Sequence, residues 1–343
     1  MGSVIEQDVK TIVNELGLDW KDFADKTILV TGATGLVGSL LVRTFLSLNK
    51  EKGANIKVII LVRSSAKAKE LFEDDGRSEL IVYEQKDITE PVNIKEDIDY
   101  IIHTAAPASS RYFVEEPVET MDAIINGSRQ MLELAKEKKV EKIVLMSSME
   151  AYGVYDSKDA TENEHGYLDL CNVRNSYSVG KRAAELCAYA YYSEYGVPTI
   201  SVRLAMCFGA GQKKTDTRVH RIFCEAAIKG EDVVVKSTGK STVNFVYSSD
   251  AILAILLLLL KGKSGETYNV AGDDMDYTIM DMANFIASKN GVKVKNEINE
   301  SNVRFAKDSI MRLNTDKIKE LGWAPKYNIE DALMHYMDYL KEE

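Results

Sequence analysis

Short apolar runs alternate with longer amphipathic stretches from residue 27 onwards. The runs are TILVTG, KVIILVR, LIVYEQKD, YIIHTAA and KIVLMSS. Continuous apolar strands separated by helical stretches are typical of a parallel sheet that is covered on both faces. VPTISVRLAM predicts a sixth strand, and the doubly wound order is the simplest topology. The pattern therefore predicts an α/β fold built on a doubly wound parallel sheet.

The pattern divides the chain into three parts. Residues 1–26 carry apolar side chains at helical spacing, which predicts an N-terminal helix packed on the main body. These side chains are Ile5, Val9, Ile12, Val13 and Leu16. Residues 27–207 hold the repeated strands and helices. Residues 208–343 contain loops rich in Gly, Lys, Asp and Thr between helices, which indicates a smaller lobe with some elements returning to the main sheet.

The composition indicates a packed cytoplasmic protein. Of the 343 residues, 45% are hydrophobic, as in an ordinary globular protein. The net charge of -10 argues against nucleic-acid and membrane partners, because both need a basic patch. The four cysteines lack C-x-x-C spacing and no secretory signal precedes them, so we expect reduced thiols and no metal site. The run AILAILLLLL is about half of the roughly 20 residues in a membrane span, which predicts a buried helix.

A glycine-rich turn follows the first strand directly. VTGATGLVG places three glycines between that strand and the amphipathic stretch SLLVRTFLSL. Glycines let the backbone turn sharply and approach a pyrophosphate, which sits at the helix N-terminus where free N–H groups point outward. The turn therefore predicts a dinucleotide site in a Rossmann-type sheet. The residues assigned to it are Gly32, Thr34, Gly35, Leu36, Val37 and Gly38.

Three further strand ends complete the predicted cofactor site. Arg63 stands after the second strand, where NAD-selective sites usually offer an acid to the ribose hydroxyls. A guanidinium suits a 2′-phosphate better, which favours NADP, although Arg63 could equally stack over the adenine or point into water. Asp87, with Ile88 beside it, either meets the adenine edge or caps a loop. Ala105 and Ala106 follow the fourth strand and are assigned to the same site.

The segment YSVGK carries the candidate chemistry. Tyr177 and Lys181 stand four residues apart, so on a helix they share one face, with Cβ atoms about 5–6 Å apart. An ammonium near a phenol favours the phenolate and lowers a pKa that starts at about 10. Tyr177 is thus predicted to act as a base. Lys181 is predicted to hold the nicotinamide ribose as well, and a hydroxyl from MSS at residues 146–148 to complete the site.

Together these motifs resemble the extended short-chain dehydrogenase/reductase family, in its branch of nucleotide-sugar epimerases and dehydratases. The resemblance runs from roughly Thr27 to Leu333, through TGATGLVG, IIHTAA, MSSMEAYG, YSVGK, RLAMCFG, FVYSSD and LGWAPKYNIEDAL. It implies a tightly held nicotinamide cofactor, with Ser148 and Tyr177 touching the substrate O4 and Lys181 on the ribose. Such enzymes oxidise a sugar at C4, use the ketone to make the neighbouring carbon acidic, and then return the hydride.

Glu150 falls where the resemblance places a Glu of 4,6-dehydratases and UDP-glucuronate decarboxylases, which simple 4-epimerases generally lack. In a dehydratase it would take the C5 proton as general base while water leaves from C6. The alternative is a Glu that caps a strand and points at solvent. Met149 departs from the dTDP-glucose dehydratases, which carry an Asp there as the acid for the leaving hydroxyl. The segment TDTRV at residues 215–219 is more similar to the decarboxylases.

The resemblance also implies residues that bind the nucleotide diphosphate and the sugar. Arg312 matches the family's pyrophosphate-binding Arg, and Arg218 lies in the loop that normally covers the nucleotide. Two positions depart from the family pattern. Met206 replaces a substrate-contacting Asn, and Val243 replaces an Arg that often meets the diphosphate. The predicted sugar contacts in the loop after the fourth strand are Ser109, Ser110 and Arg111.

We favour a nucleotide-sugar enzyme that acts through transient C4 oxidation by bound NAD(P)+, with NAD as the family's usual cofactor. It would be a 4,6-dehydratase, a UDP-glucuronate-decarboxylase-like lyase or a 4-epimerase. A second hypothesis is an NADPH-dependent carbonyl reductase of the dihydroflavonol-reductase type, which LVRSSAKAKELF would suit. A third is a non-catalytic dinucleotide-sensing protein, which the intact Ser148, Tyr177 and Lys181 oppose. ELCAYAYYSEYG matches the helix that often forms the family's homodimer, although core packing explains it equally well.

Overall fold

The computed structural model describes residues 3–15, 19–73, 75, 78–107, 109–155, 157–298 and 310–343. The helices are α1 (Val4–Glu15), α2 (Leu36–Lys52), α3 (Ser65–Phe72), α4 (Ser110–Glu115), α5 (Pro117–Lys138), α6 (Ser176–Tyr195), α7 (Val219–Ile228), α8 (Ser248–Lys261), α9 (Ile279–Asn290), α10 (Asp316–Lys319) and α11 (Ile329–Glu342). The strands are β1 (Thr27–Thr31), β2 (Lys57–Val62), β3 (Ile81–Gln85), β4 (Tyr100–His103), β5 (Lys142–Ser148), β6 (Ser157–Ala160), β7 (Thr199–Leu204), β8 (Met206–Phe208), β9 (Val233–Val235), β10 (Thr242–Tyr247), β11 (Glu266–Val270), β12 (Asp276–Thr278), β13 (Val294–Asn296) and β14 (Met311–Leu313). Within these ranges no helix is both long and apolar enough to span a bilayer.

The main sheet contains seven parallel strands in the order β11-β7-β5-β4-β1-β2-β3. In the middle of β1, Val30 stands opposite Ile60 on one side and Ile102 on the other. All three side chains are fully buried, as expected where helices cover both faces of a parallel sheet. The order in which the chain adds strands to the sheet changes direction between β1 and β4. In doubly wound sheets, ligands bind at the carboxyl ends of the strands beside such a switch. The predicted Rossmann-type doubly wound fold is confirmed.

Two elements from beyond residue 207 return to the main sheet. β11 pairs with β7, so that Asn269 lies opposite Arg203. α8 is the Leu-rich segment, and it packs against α2 and β5 with its side chains buried along most of its length. A helix that is apolar on every side has to be enclosed by protein. The predicted buried helix is therefore confirmed, whereas β10, which leads into it, pairs with β8 and β12 in a separate three-stranded sheet.

The remaining C-terminal elements form a lobe on that small sheet. Strand pairs β9–β13 and β6–β14 accompany it. Its core contains an aromatic cluster, in which Phe208 meets the rings of Phe245, Tyr247 and Tyr336 edge to face at centroid distances of 5.6 to 5.7 Å. These contacts join β8 and β10 to α11 and fix the start of the loop that follows Phe208.

The N-terminal helix α1 packs against α2, α8 and α11. Ile12 and Val13 are buried, as their spacing predicts, while Leu16 lies outside the described residues. Asp8 is also completely buried, which sequence reasoning missed. Its carboxylate accepts a hydrogen bond from the Tyr247 hydroxyl at 3.0 Å and lies 3.1 Å from Nε2 of His335. A polar cluster thus connects the first helix of the chain to the C-terminal lobe.

Candidate active site

The glycine-rich turn brings the backbone of β1 against the end of β4. Gly32 has φ +67°, and a Cβ placed there would lie 2.6 Å from Oγ1 of Thr104 and 2.8 Å from the amide nitrogen of Ala105. A Cβ on Gly38 would lie 2.3 Å from the carbonyl oxygen of Gly32. Neither contact leaves room for a side chain. The amide of Gly35 donates to the same carbonyl at 2.9 Å, immediately before α2 begins at Leu36.

The carboxyl ends of β1 and β4 are joined by side-chain hydrogen bonds. Oγ1 of Thr31 lies 2.8 Å from Nδ1 of His103, and the Thr104 hydroxyl donates to the Thr31 carbonyl at 2.7 Å. The amide of Ala105 donates to the Thr31 hydroxyl at 3.2 Å. Burial, assisted by the nearby Lys181 charge, lowers the pKa of His103 to about 3, so its imidazole is neutral. This network fixes the backbone at Ala105, beside the glycine-rich turn.

The other predicted cofactor residues lie at the ends of β2 and β3. Arg63 and Asp87 are both exposed. Asp87 accepts hydrogen bonds from the amide and hydroxyl of Thr89 at 2.9 and 2.7 Å. These bonds, with a smaller contribution from Arg63, lower the pKa of Asp87. Asp87 therefore caps its own loop, and its contact with the adenine stays a prediction. Ile88 is partly buried and packs over Gly127 of α5.

Tyr177 and Lys181 lie on the first turns of α6, with Nζ of Lys181 5.6 Å from the centre of the phenol ring. The ammonium donates to the carbonyl of Met146 at 2.5 Å, and burial lowers the pKa of Lys181 to about 8. The pKa of Tyr177 is raised to about 12, first by burial and then by the charge of Glu150. The prediction that Lys181 lowers this pKa is therefore wrong, because burial dominates and the ammonium is turned toward β5.

Ser148 and Glu150 lie at the end of β5, where a 3-10 helix (Met149–Tyr152) begins. The Ser148 hydroxyl accepts from the amide of Glu150 at 3.2 Å, and its hydrogen bond with Tyr177 lowers the pKa of that phenol. The Glu150 carboxylate accepts from the Ser178 hydroxyl at 3.3 Å and lies 3.8 Å from a guanidinium nitrogen of Arg174. Glu150 is thus half-exposed beside Tyr177. It is held by Arg174 and Ser178, which stand on either side of Tyr177 in the sequence and which sequence reasoning missed.

The segment after β4 reaches Tyr177 through a residue that the sequence analysis did not single out. Phe113 on α4 stacks on the ring of Tyr177, with centroids 4.3 Å apart and planes inclined by 15°. Ser109 stands at the N-cap position of α4 without a capping hydrogen bond from its side chain, and Ser110 is the first residue of the helix. The side chain of Arg111 is 78% exposed and pairs with Glu115 at 2.6 Å. The predicted sugar contacts of Ser109, Ser110 and Arg111 therefore stay predictions.

Arg218 is held in a fixed orientation before α7. Its guanidinium donates to both carboxylate oxygens of Asp216, at 2.7 to 3.1 Å, and to the carbonyl of Cys207 at 2.7 Å. Against the opposing effect of burial, these bonds lower the pKa of Asp216. The Arg218 charge also lowers the pKa of Tyr177, with a smaller effect than burial. The contact of Arg218 with a nucleotide stays a prediction.

Arg312 lies on β14, and its side chain is 47% exposed and 3.9 Å from the carboxylate of Asp276. The two positions that depart from the family pattern are in the small sheet. Met206 pairs with Phe245, and Val243 pairs with Tyr277. The predicted contact of Arg312 with the pyrophosphate stays a prediction.

The sequence of this chain matches a known protein family and several of its members. A sequence model of the NAD dependent epimerase/dehydratase family matches residues 28–271. UDP-glucuronic acid decarboxylase 6 of Arabidopsis thaliana is 30% identical over 309 residues, which cover 89% of this chain and 86% of the plant protein. UDP-glucuronic acid decarboxylase 1 of Danio rerio is 30% identical, and the match covers 93% of this chain and 73% of the fish protein.

Two solved structures share the fold over almost the whole chain. A dTDP-glucose 4,6-dehydratase from Streptomyces venezuelae, with NAD bound, has a TM-score of 0.79 at 23% identity and covers 92% of this chain and 97% of its own. A UDP-glucose 4-epimerase from Thermotoga maritima, with UDP-glucose, has a TM-score of 0.74 at 25% identity and covers 92% and 99%.

Proposed function

This chain belongs to the NAD dependent epimerase/dehydratase family, and we propose that it is a UDP-glucuronate-decarboxylase-like lyase acting on a nucleotide diphosphate sugar, with no net use of its cofactor. The observation that carries the proposal is the Glu150 carboxylate beside Tyr177, held by Ser178 and Arg174. The curated relatives that match at 30% identity are UDP-glucuronic acid decarboxylases, which supports the same reaction class.

The glycine-rich turn fits a dinucleotide. The spaces beside Gly32 and Gly38 are closed to any Cβ, so the backbone itself forms the cradle, and the start of α2 offers N–H groups without intrahelical partners. A bound nicotinamide dinucleotide supplies an acceptor and donor of hydride. The exposed Arg63 supports NADP, because a guanidinium can pair with a 2′-phosphate.

Tyr177 is the proposed base for the sugar hydroxyl at C4. Ser148 hydrogen-bonds the phenol and Arg218 lies close enough to influence it, and both lower its pKa against the opposing effect of burial. Lys181, whose Nζ lies 5.6 Å from the centre of the ring, is the proposed ligand of the nicotinamide ribose. General acid–base catalysis by a residue in such a position contributes about 10²–10⁴-fold to the rate.

Glu150 is the proposed proton carrier at C5. A ketone at C4 stabilises negative charge on C5, and the Glu150 carboxylate is half-exposed and close enough to Tyr177 to raise the pKa of its phenol. Loss of carbon dioxide breaks the C5–C6 bond of the 4-keto acid and leaves its electrons on C5 as an enolate. Glu150, after taking up a proton from solvent, would give that proton to C5. Dehydration needs, in addition, an acid for the hydroxyl at C6. Met149, which packs on the apolar core, cannot be that acid, and this favours decarboxylation over dehydration.

Arg218 and Arg312 are the proposed ligands of the nucleotide diphosphate. Both are partly exposed guanidinium groups, which pair well with phosphate oxygens.

We also propose a homodimer formed through α6, because its outer face exposes Leu186 by 68% and Tyr189 by 55%.

We propose a cytoplasmic location as well. The cysteines at 171, 187, 207 and 224 are all free thiols, which supports it.

The test is product analysis on purified protein. UDP-glucuronate, UDP-glucose and dTDP-glucose are supplied separately, and products are identified by mass spectrometry while NAD(P)H absorbance is followed. A product lighter by carbon dioxide, without net NAD(P)H change, is expected from UDP-glucuronate. Loss of water from a hexose would assign a dehydratase instead. Steady NADPH consumption with a carbonyl substrate would refute the proposal and identify a reductase.

Two variants separate the steps. Tyr177→Phe should abolish C4 oxidation, because no base remains for the hydroxyl. Glu150→Gln should still form the 4-keto intermediate and slow the later step by about 10²-fold or more. The exposed Glu70→Gln on α3 is the matched control and should leave turnover unchanged. Full turnover by Glu150→Gln would contradict the assigned role.

A further inference from the structure

α4 presents a single buried side chain to the active site. Phe113 is 3% exposed, while its neighbours Tyr112 and Val114 are 48% and 52% exposed. Its ring lies flat on Tyr177 at a centroid distance of 4.3 Å. Offset stacked aromatic pairs contribute about 0.5–1.5 kcal/mol beyond the area that they bury. The phenol of Tyr177 thus has a rigid apolar surface against one face.

α4 is anchored at the same point. The hydroxyl of Ser176, one residue before Tyr177, donates to the carbonyl of Phe113 at 3.2 Å and is buried with it. α4 also packs against the 3-10 helix Val173–Asn175, which leads into α6. The amide of Glu116 donates to the carbonyl of Tyr112 at 2.8 Å, which closes the helix before Pro117 begins α5. The stacking contact therefore joins two segments that are independent in sequence.

The geometry leaves Tyr177 with few ways to turn. The flat contact with Phe113 restricts rotation of the phenol ring, and the hydrogen bond with Ser148 restricts its hydroxyl. A displacement of about 1 Å at a reacting group can cost about 10²-fold in rate. We propose that Phe113 is a positioning residue, which holds the phenol of Tyr177 in line with the sugar hydroxyl and keeps water from its ring face. The inference rests on the proposed function to the extent that Tyr177 is the base.

The experiment uses the full-length protein with its cofactor and three variants. Phe113→Ala removes the stacked ring, Phe113→Tyr keeps it, and Tyr112→Ala removes an exposed ring from the same helix as a matched control. Phe113→Ala should lower kcat about 3- to 10-fold, the range that corresponds to the lost stacking energy, with KM close to that of the control. Phe113→Tyr should restore kcat. Equal kcat in Phe113→Ala and Tyr112→Ala would overturn the proposal.

A second measurement does not depend on the substrate. The alkaline titration of Tyr177 is obtained as the ultraviolet difference between each protein and the same protein carrying Tyr177→Phe. Because Phe113→Ala admits water to the phenol, the pKa of Tyr177 should fall from about 12 in that variant, and it should stay unchanged in Tyr112→Ala. If no nucleotide sugar is converted, the proposed function fails while this titration still decides the role of Phe113. An unchanged titration in Phe113→Ala would refute it.

Discussion

Replacing His335 by Leu should destabilise the protein, because it leaves a buried carboxylate without its counter-charge. Asp8 on α1 is fully buried and lies 3.1 Å from Nε2 of His335. Among the described residues, the other charged groups that influence this pair are acidic: Asp250 on α8, and Asp338 and Glu342 on α11. The Tyr247 hydroxyl would remain as a hydrogen-bond donor to Asp8.

The expected loss follows from the contact that disappears. A hydrogen bond to a charged group contributes about 1.5–3 kcal/mol, and breaking a fully buried ion pair costs about 3–5 kcal/mol. The His335 side chain is 19% exposed, so solvent screens the pair in part. We therefore expect His335→Leu to lower the free energy of unfolding by about 2–3 kcal/mol.

The pH dependence has a definite sign. Burial raises the pKa of Asp8, and the hydrogen bond with Asp8 raises the pKa of His335 above its ordinary 6.5. Folding therefore takes up a proton at this pair. The stabilisation that His335 contributes is complete below pH 6.5, the ordinary pKa of histidine. It is lost as the pH rises through the raised pKa of His335, and the free energy of unfolding falls by at most about 1.4 kcal/mol per pH unit. The pKa of Asp8 is also raised by folding, so the titration of Asp8 likewise lowers the stability as the pH rises, starting from the ordinary aspartate pKa of 3.8.

The assay is urea unfolding of wild type, Asp8→Asn and His335→Leu at about pH 6, below the ordinary pKa of histidine, and at about pH 9. Wild type should lose more stability between these values than Asp8→Asn, which lacks the acidic partner. His165→Leu, at an exposed histidine, is the matched control for the loss of an imidazole. Parallel pH profiles for wild type and Asp8→Asn, or equal stability of His335→Leu and the control, would refute the reasoning.

Two further predictions concern the cofactor. Gly32→Ala should weaken retention of the co-purified dinucleotide by about tenfold or more, because its Cβ meets Thr104 and Ala105 in addition to the strain of positive φ. Gly53→Ala, with φ +66° and open space around it, carries the same strain and should retain cofactor, as mass spectrometry after denaturation can show. Arg63→Ser should weaken NADP binding by about 10- to 100-fold in fluorescence titrations and leave NAD binding unchanged. Equal losses for both cofactors would assign Arg63 to the adenine.

The sequence predicts those features of the fold and the site whose residues are close together in the chain. The glycine-rich turn, the apolar strands and the pair Tyr177 and Lys181 each lie within one short segment. Phe113 carries no such signal, because its contact with Tyr177 joins residues 64 positions apart in the chain. The pair Asp8 and His335 spans 327 positions for the same reason. The pKa of Tyr177 was mispredicted because spacing gives the distance to Lys181 but not the burial of the phenol.

The pairing of β11 with β7 limits where the chain can be cut to give a folded fragment. A fragment that ended at residue 207 would keep the glycine-rich turn, Tyr177 and Lys181, but it would lose β11 and α8. β7 would then become an open edge strand, with its peptide groups free to pair with another chain. The apolar sides of α2 and β5 that α8 covers would face water. We therefore expect such a fragment to aggregate rather than to act as a transferable nucleotide-binding module.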